Sequence, residues 1–62
     1  MLTIREQEVL EQVCKGYNNK EIAENLFISS HTAKAHVSSI LKKFEVSNRT
    51  LMAYIAGKNN LV

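Results

Sequence analysis

Proline, tryptophan and aspartate are absent from this chain of 62 residues, and cysteine occurs once, at position 14. Without proline, nothing forces a helix to break or kink inside its run. A single cysteine leaves no partner for an internal disulfide, and nothing points to an oxidising compartment. One thiol and no aspartate also remove most metal-binding and catalytic designs. Cys14 lies beside an apolar helical face with no histidine or acid partner evident, so it reads as a small hydrophobe rather than a nucleophile. The two glycines, Gly16 and Gly57, cannot make a phosphate-cradling loop. His31 and His36 stand about 140° apart around a helix and cannot share a metal as an i, i+4 pair does. No apolar run approaches membrane-spanning length, and the start lacks the apolar block of a signal peptide. The expectation is a soluble, intracellular domain that is not an enzyme, with no cofactor, no metal, no membrane partner and no small-molecule ligand.

The charge that is present is uneven. Residues 1–25 carry five acids (Glu6, Glu8, Glu11, Glu21, Glu24) and three bases (Arg5, Lys15, Lys20), a net of −2. Residues 26–62 carry one acid (Glu45) and five bases (Lys34, Lys42, Lys43, Arg49, Lys58), a net of +4. The basic half suits a polyanion, although charge alone would favour a merely solvated face. A chain this short buries only roughly 60% of its unfolded surface, so its core must be economical.

Period-2 alternation is absent and helical periodicity recurs, which predicts an all-α fold: a compact four-helix bundle with helices at about 4–15, 19–26, 30–44 and 48–58. Thr3 and Glu6 form a capping box for the first helix; Val9, Leu10 and Val13 give its core face, and Gly16 suits the left-handed position that ends it. Asn18 caps the second helix, with Glu21 three residues on and Ile22, Ala23 and Leu26 inward. Phe27 and Ile28 read as apolar plugs in a tight turn. Ser29 or Ser30 caps the third helix. At 100° per residue, Ala33, Val37, Ile40, Leu41 and Phe44 share a core arc. His31, Thr32, Ala35, Ser38, Ser39 and Lys42 fall opposite, flanked by Lys34 and His36. Ser47 is expected to cap the fourth helix, whose inner face is Met52, Ile55 and Ala56. Thr50, Tyr54 and Gly57 face outward with Leu51 and Ala53 at the margins. Tyr54 fits either a contact for a second subunit or an ordinary exposed tyrosine. Leu61 and Val62 are expected to fold the tail back.

A short helix, a turn of three to four residues and a longer helix match helix-turn-helix geometry, in which the second helix enters the major groove of DNA. The chemistry of the outer arc agrees. Short side chains permit close approach, Lys34 can reach guanine acceptors, the Ala35 methyl can touch a thymine methyl, and Thr32 and Ser39 can donate to phosphates or base edges. Lys42, Lys43 and Arg49 suit phosphates further along.

The runs LTIREQEVL (2–10), GYNNKEIAENLFIS (16–29), HTAKAH (31–36), SSILKKFEV (38–46) and SNRT (47–50) together resemble the LuxR-type helix-turn-helix domain, the DNA-binding module of LuxR and NarL/FixJ bacterial transcription regulators. The resemblance covers nearly the whole chain. It implies that residues 1–62 are one such domain, of a kind that usually sits C-terminal to a receiver or ligand-sensing domain in a cytoplasmic regulator such as a two-component response regulator. It implies double-stranded DNA as partner, binding as a homodimer on two-fold related half-sites, and RNA polymerase as a further possible partner. By position, Lys34, Ala35 and Ser38 would meet bases. Asn19, Lys20, Thr32, His36 and Lys42 would hold the DNA backbone, and the side-chain chemistry above adds Ser39 and Arg49 to that set. Thr50, Leu51, Ala53, Tyr54 and Gly57 would form the dimer surface. His36 also fits a simple packing role beside the second helix.

Three positions depart from the family pattern. Ala33 replaces a common valine, Phe44–Glu45 stands where Leu–Gly is common, and Leu51 replaces a frequent polar residue. The second departure predicts a different end to the third helix. Ala33 and Leu51 also motivate an alternative: a protein-interaction module of the same fold that has lost DNA binding.

Overall fold

The computed structural model describes residues 1–61 and contains four helices: α1 (Ile4–Cys14), α2 (Asn19–Leu26), α3 (Ser30–Phe44) and α4 (Arg49–Lys58). No strand occurs among the described residues. Val62, expected to help fold back the tail, lies outside them.

Each helix starts on a side chain that accepts from a free backbone N–H of the first turn. The Thr3 hydroxyl accepts from the Glu6 N–H (3.1 Å), and the Glu6 carboxylate accepts in return from the Thr3 N–H (2.9 Å). Asn18 and Glu21 repeat this reciprocal pair at 2.8 and 2.9 Å. The Ser29 hydroxyl accepts from the Thr32 N–H at 3.0 Å, which resolves the choice between Ser29 and Ser30. The fourth cap corrects the expectation. Asn48, not Ser47, has the extended backbone, and its side-chain oxygen accepts from the Leu51 N–H at 2.8 Å.

All four helices end on a left-handed residue: Gly16 (φ 91°), Phe27 (58°), Glu45 (59°) and Asn60 (56°). In each case the next N–H reaches back five residues, Tyr17 to Gln12, Ile28 to Ala23, Val46 to Leu41 and Leu61 to Ala56. This closes the last turn and satisfies a carbonyl that the helix leaves free. Only one of the four positions is glycine. Glu45 therefore ends α3 as the family's glycine would, so the expected difference is absent from the backbone and survives only as strain. Phe27 corrects a second expectation. Its left-handed backbone aims the ring outward, and it is 95% exposed, whereas Ile28 supplies the apolar plug.

The core is Val9, Leu10 and Val13 from α1, Ile22 and Ala23 from α2, Ala33, Val37 and Ile40 from α3, and Met52 and Ala56 from α4. Leu41 and Phe44 are half-buried against it. Ile55, expected inside, is half-buried, and Ala53 packs on the core in its place. α3 packs on α1, α2 and α4, whereas α4 packs on α1 and α3 but not on α2. The tail turns back as expected. The Leu61 carbonyl accepts from the Gln7 side-chain amide at 2.6 Å, although Leu61 itself is 43% exposed.

Candidate nucleic-acid interface

The fifteen residues of α3 run about 22 Å at 1.5 Å each. Three apolar contacts, through Ala33, Val37 and Ile40, bind its inner side to the core and fix which side is left outward. The exposed residues on that side are His31, Lys34, Ala35, Ser38 and Lys42. With Ala35 as origin they span about −100° to 0° around the axis. Thr32, His36 and Ser39, at about +60°, +100° and +40°, are half-buried. The open stripe is therefore rotated toward Lys34 relative to the symmetric arc that periodicity suggests.

The cause of that rotation at Ser39 is Glu6 of α1. Glu6 is only 5% exposed and is the one buried charged residue among those described. Its carboxylate accepts from the Lys43 ammonium (2.6 Å), the Ser39 hydroxyl (2.6 Å) and the Thr3 N–H (2.9 Å). Lys43 also donates to the Met1 carbonyl at 3.1 Å. The Lys43 ammonium, then the Ser39 hydroxyl and the Thr3 N–H, hold the Glu6 carboxyl down to about 2 against the opposing effect of burial. Two donors expected at the DNA backbone are engaged within the domain: Ser39 gives its hydroxyl proton to Glu6, and the Lys43 ammonium is paired with the same carboxylate. Glu6 was missed as anything more than a cap, yet positions 6, 9, 10 and 13 share core spacing, which is the signal that could have placed it inside.

The remaining candidates fall in three groups. Lys34, Ala35 and Ser38 lie together on the open stripe with Lys42 two turns along. Thr32 accepts a hydrogen bond from the Ser29 hydroxyl at 2.9 Å, so its oxygen belongs partly to the cap. At the start of α2, Lys20 is exposed and Asn19 is half-buried. Arg49 is tied inward: its Nη1 donates to Asn19 Oδ1 (2.6 Å) and its Nη2 to the Tyr17 carbonyl (2.8 Å).

On α4, Thr50, Leu51, Tyr54 and Gly57 are exposed. Ala53 departs from its assignment to that surface, since it is half-buried against the core and its carbonyl lies 4.0 Å from the Cys14 sulfur. Burial pushes the Cys14 thiol up, away from the thiolate that nucleophilic chemistry needs.

A short capped helix, a left-handed turn and a longer helix with a small, polar and basic open stripe define a helix-turn-helix domain of the nucleic-acid-binding kind. Comparison with known proteins makes the class specific. Residues 1–56 match the family described as bacterial regulatory proteins, luxR family, and the chain belongs to it. It is a domain of DNA-binding transcription regulators, not an enzyme.

Among curated proteins it is similar to the uncharacterized transcriptional regulatory protein YhcZ of Bacillus subtilis, 53% identical over 97% of this chain and 28% of that protein. It is similar to the transcriptional regulatory protein LiaR of the same organism, 49% identical over 98% and 29%. It is also similar to the response regulator VraR of Staphylococcus aureus, 48% identical over 100% and 30%. The chain thus spans less than a third of the length of these relatives. The structure superposes on that of the response regulator ChrA from a heme-sensing two-component system, with a TM-score of 0.93, 37% identity, and coverage of 100% of this chain and 31% of the other. It superposes on the transcription factor GerE with a TM-score of 0.87 and 30% identity, covering 97% of this chain and 90% of GerE.

Proposed function

We propose that this domain recognises a specific DNA sequence by placing α3 in the major groove, with Lys34, Ala35 and Ser38 meeting base edges. Asn19, Lys20, Thr32, His36 and Lys42 hold the two sugar–phosphate strands. The observation that carries this reading is the open stripe of α3, whose outward side chains are short apart from His31 and the two lysines. A helix that merely solvates itself would more often present glutamate and lysine there. Thymine methyls, guanine acceptors and phosphates are the partners such a stripe suits. Two copies meet through Thr50, Leu51, Tyr54 and Gly57 of α4 on two-fold related half-sites. The likeness to response regulators supports a cytoplasmic setting and a place as the C-terminal, DNA-reading part of a longer regulator. The protein-interaction alternative draws little from Ala33, which is fully buried and away from the stripe.

Selection of bound duplexes from a random DNA pool tests the reading directly, since it returns a half-site and its spacing or returns nothing. On the selected duplex, Lys34→Ala should cost about 1–3 kcal/mol and relax base preference. Lys42→Ala should weaken all sequences alike. Unchanged affinity and preference for Lys34→Ala in a mobility-shift titration would remove that residue from the base-reading set. A flat response to salt would favour the protein-interaction alternative, because phosphate contacts release counterions and weaken steeply as salt rises.

A further inference from the structure

Resting on the DNA-binding reading above, we infer that Arg49 is a positioning residue that locks the start of α2 onto α4. The two helices do not otherwise pack on each other. Arg49, the first residue of α4, bridges the gap with two hydrogen bonds, one to the side-chain oxygen of Asn19 (2.6 Å) and one to the carbonyl of Tyr17 (2.8 Å). Asn19 is the first residue of α2, and Tyr17 lies in the link that leads into it. The guanidinium thus holds both the helix start and the strand of chain before it.

The chemistry of the bridge is that of a fork. A planar guanidinium presents parallel N–H donors at a fixed spacing, which two neighbouring oxygens can accept together. A lysine ammonium carries the same charge as a compact point on a flexible stem and does not reproduce that geometry. Both acceptors are neutral, so removing Arg49 strands no buried anion, and its effect on folding is expected to be small. Its effect on function should be larger, since Asn19 and Lys20 are the groups proposed to meet the DNA backbone. α4 also carries the proposed pairing surface, so the same bridge makes α4 and the α2 start move as one body. Arg49 therefore acts on DNA through Asn19 and the Tyr17 carbonyl rather than as one more phosphate contact.

The test uses the whole 62-residue domain and a duplex selected from a random pool with the wild-type protein. Affinity is measured at several salt concentrations for wild type, Arg49→Lys, Arg49→Ala, Asn19→Ala and the double variant Asn19→Ala/Arg49→Ala. Helix content and thermal midpoint are followed by circular dichroism. The expected result is that Arg49→Lys and Arg49→Ala weaken binding to a similar extent, about three- to tenfold. The salt slope should stay at the wild-type value, and the loss in the double variant should be smaller than the sum of the two single losses, the remainder reflecting the bond to the Tyr17 carbonyl.

Three results would overturn the assignment. The first is that Arg49→Lys binds as wild type while Arg49→Ala loses about one phosphate contact, a change of about 0.9 in the slope of log affinity against log salt; this is the signature of direct contact. The second is that the two single losses simply add in the double variant. The third is a lowered thermal midpoint with unchanged affinity of the folded protein, which marks a purely structural role. A wild-type domain that selects no duplex at all removes the DNA reading itself, an outcome visible before any variant is made.

Discussion

Glu6 shows how one side chain serves two scales of the structure. One of its carboxylate oxygens completes the α1 capping box and also accepts from Lys43, while the other accepts from Ser39 across the α1–α3 contact. Its folded pKa of about 2 lies below the ordinary 4.5. Because the folded value is the lower one, the charged carboxylate stabilises the fold above about pH 4.5, and that stability is lost as pH falls through about 2. Lys43 keeps 37% of its side chain in solvent, so screening reduces the contribution to on the order of 2 kcal/mol. Acid titration monitored by circular dichroism should show this loss, and Glu6→Gln should be less stable at neutral pH and should lack that part of the acid transition.

Glu45 offers the opposite case, a residue at odds with its own backbone. At φ 59° its Cβ is strained where glycine would not be. Glu45→Gly should raise stability by up to about 1 kcal/mol in thermal unfolding, without altering α3.

Among the elements, the α2–α3 turn and the start of α4 are the places where local chemistry sets geometry. Ser29 caps α3 and in doing so aligns the Thr32 hydroxyl, so the start of α3 is ordered by its own cap. Asn48 does the same for α4, and it also fixes the residue that follows it, Arg49. Asn48→Ala should therefore cost about 1 kcal/mol of stability. It should also loosen the bridge to Asn19, which is measurable as a fall in the protection from hydrogen exchange of the Glu21 and Ile22 amides at the start of α2. Unchanged protection with lowered stability would separate the cap from the bridge. Phe27 sits in the turn at 95% exposure, so its ring contributes nothing to the core that the turn joins.

For the molecule as a whole, the basic half of the sequence is less available than its net charge suggests. Lys43 is paired with Glu6 and Arg49 is held by Asn19 and Tyr17, which leaves Lys34 and Lys42 as the open cations of the α3 face. The proposed pairing surface is smaller than expected too, since Ala53 is half-buried against the core and Thr50, Leu51, Tyr54 and Gly57 remain on one ten-residue helix. That is far less area than a stable dimer needs. Sedimentation should find the isolated domain monomeric, or weakly dimeric, at low micromolar concentration; a tight dimer there would require a larger interface than α4 alone.

The amino-acid sequence by itself determined the four helices, the caps of the first two, most of the apolar faces and which side of α3 is outward. Each of these depends on residues three or four apart: Thr3 with Glu6, Asn18 with Glu21, and Ala33 with Val37 and Ile40. Spacing along one chain segment is enough to read such pairs, and the likeness to LuxR-type domains carried the expected partner. Tertiary structure alone decided which polar side chains stay open. Ser39 and Ala35 look alike on a helical wheel, but α1 crosses beside Ser39 and brings the buried carboxylate of Glu6 to its hydroxyl. Arg49 and Lys42 look alike as cations, but the chain folds Asn19 and Tyr17 within reach of Arg49. Whether a donor faces water or an internal acceptor depends on which distant segment passes by, and periodicity holds no information about that.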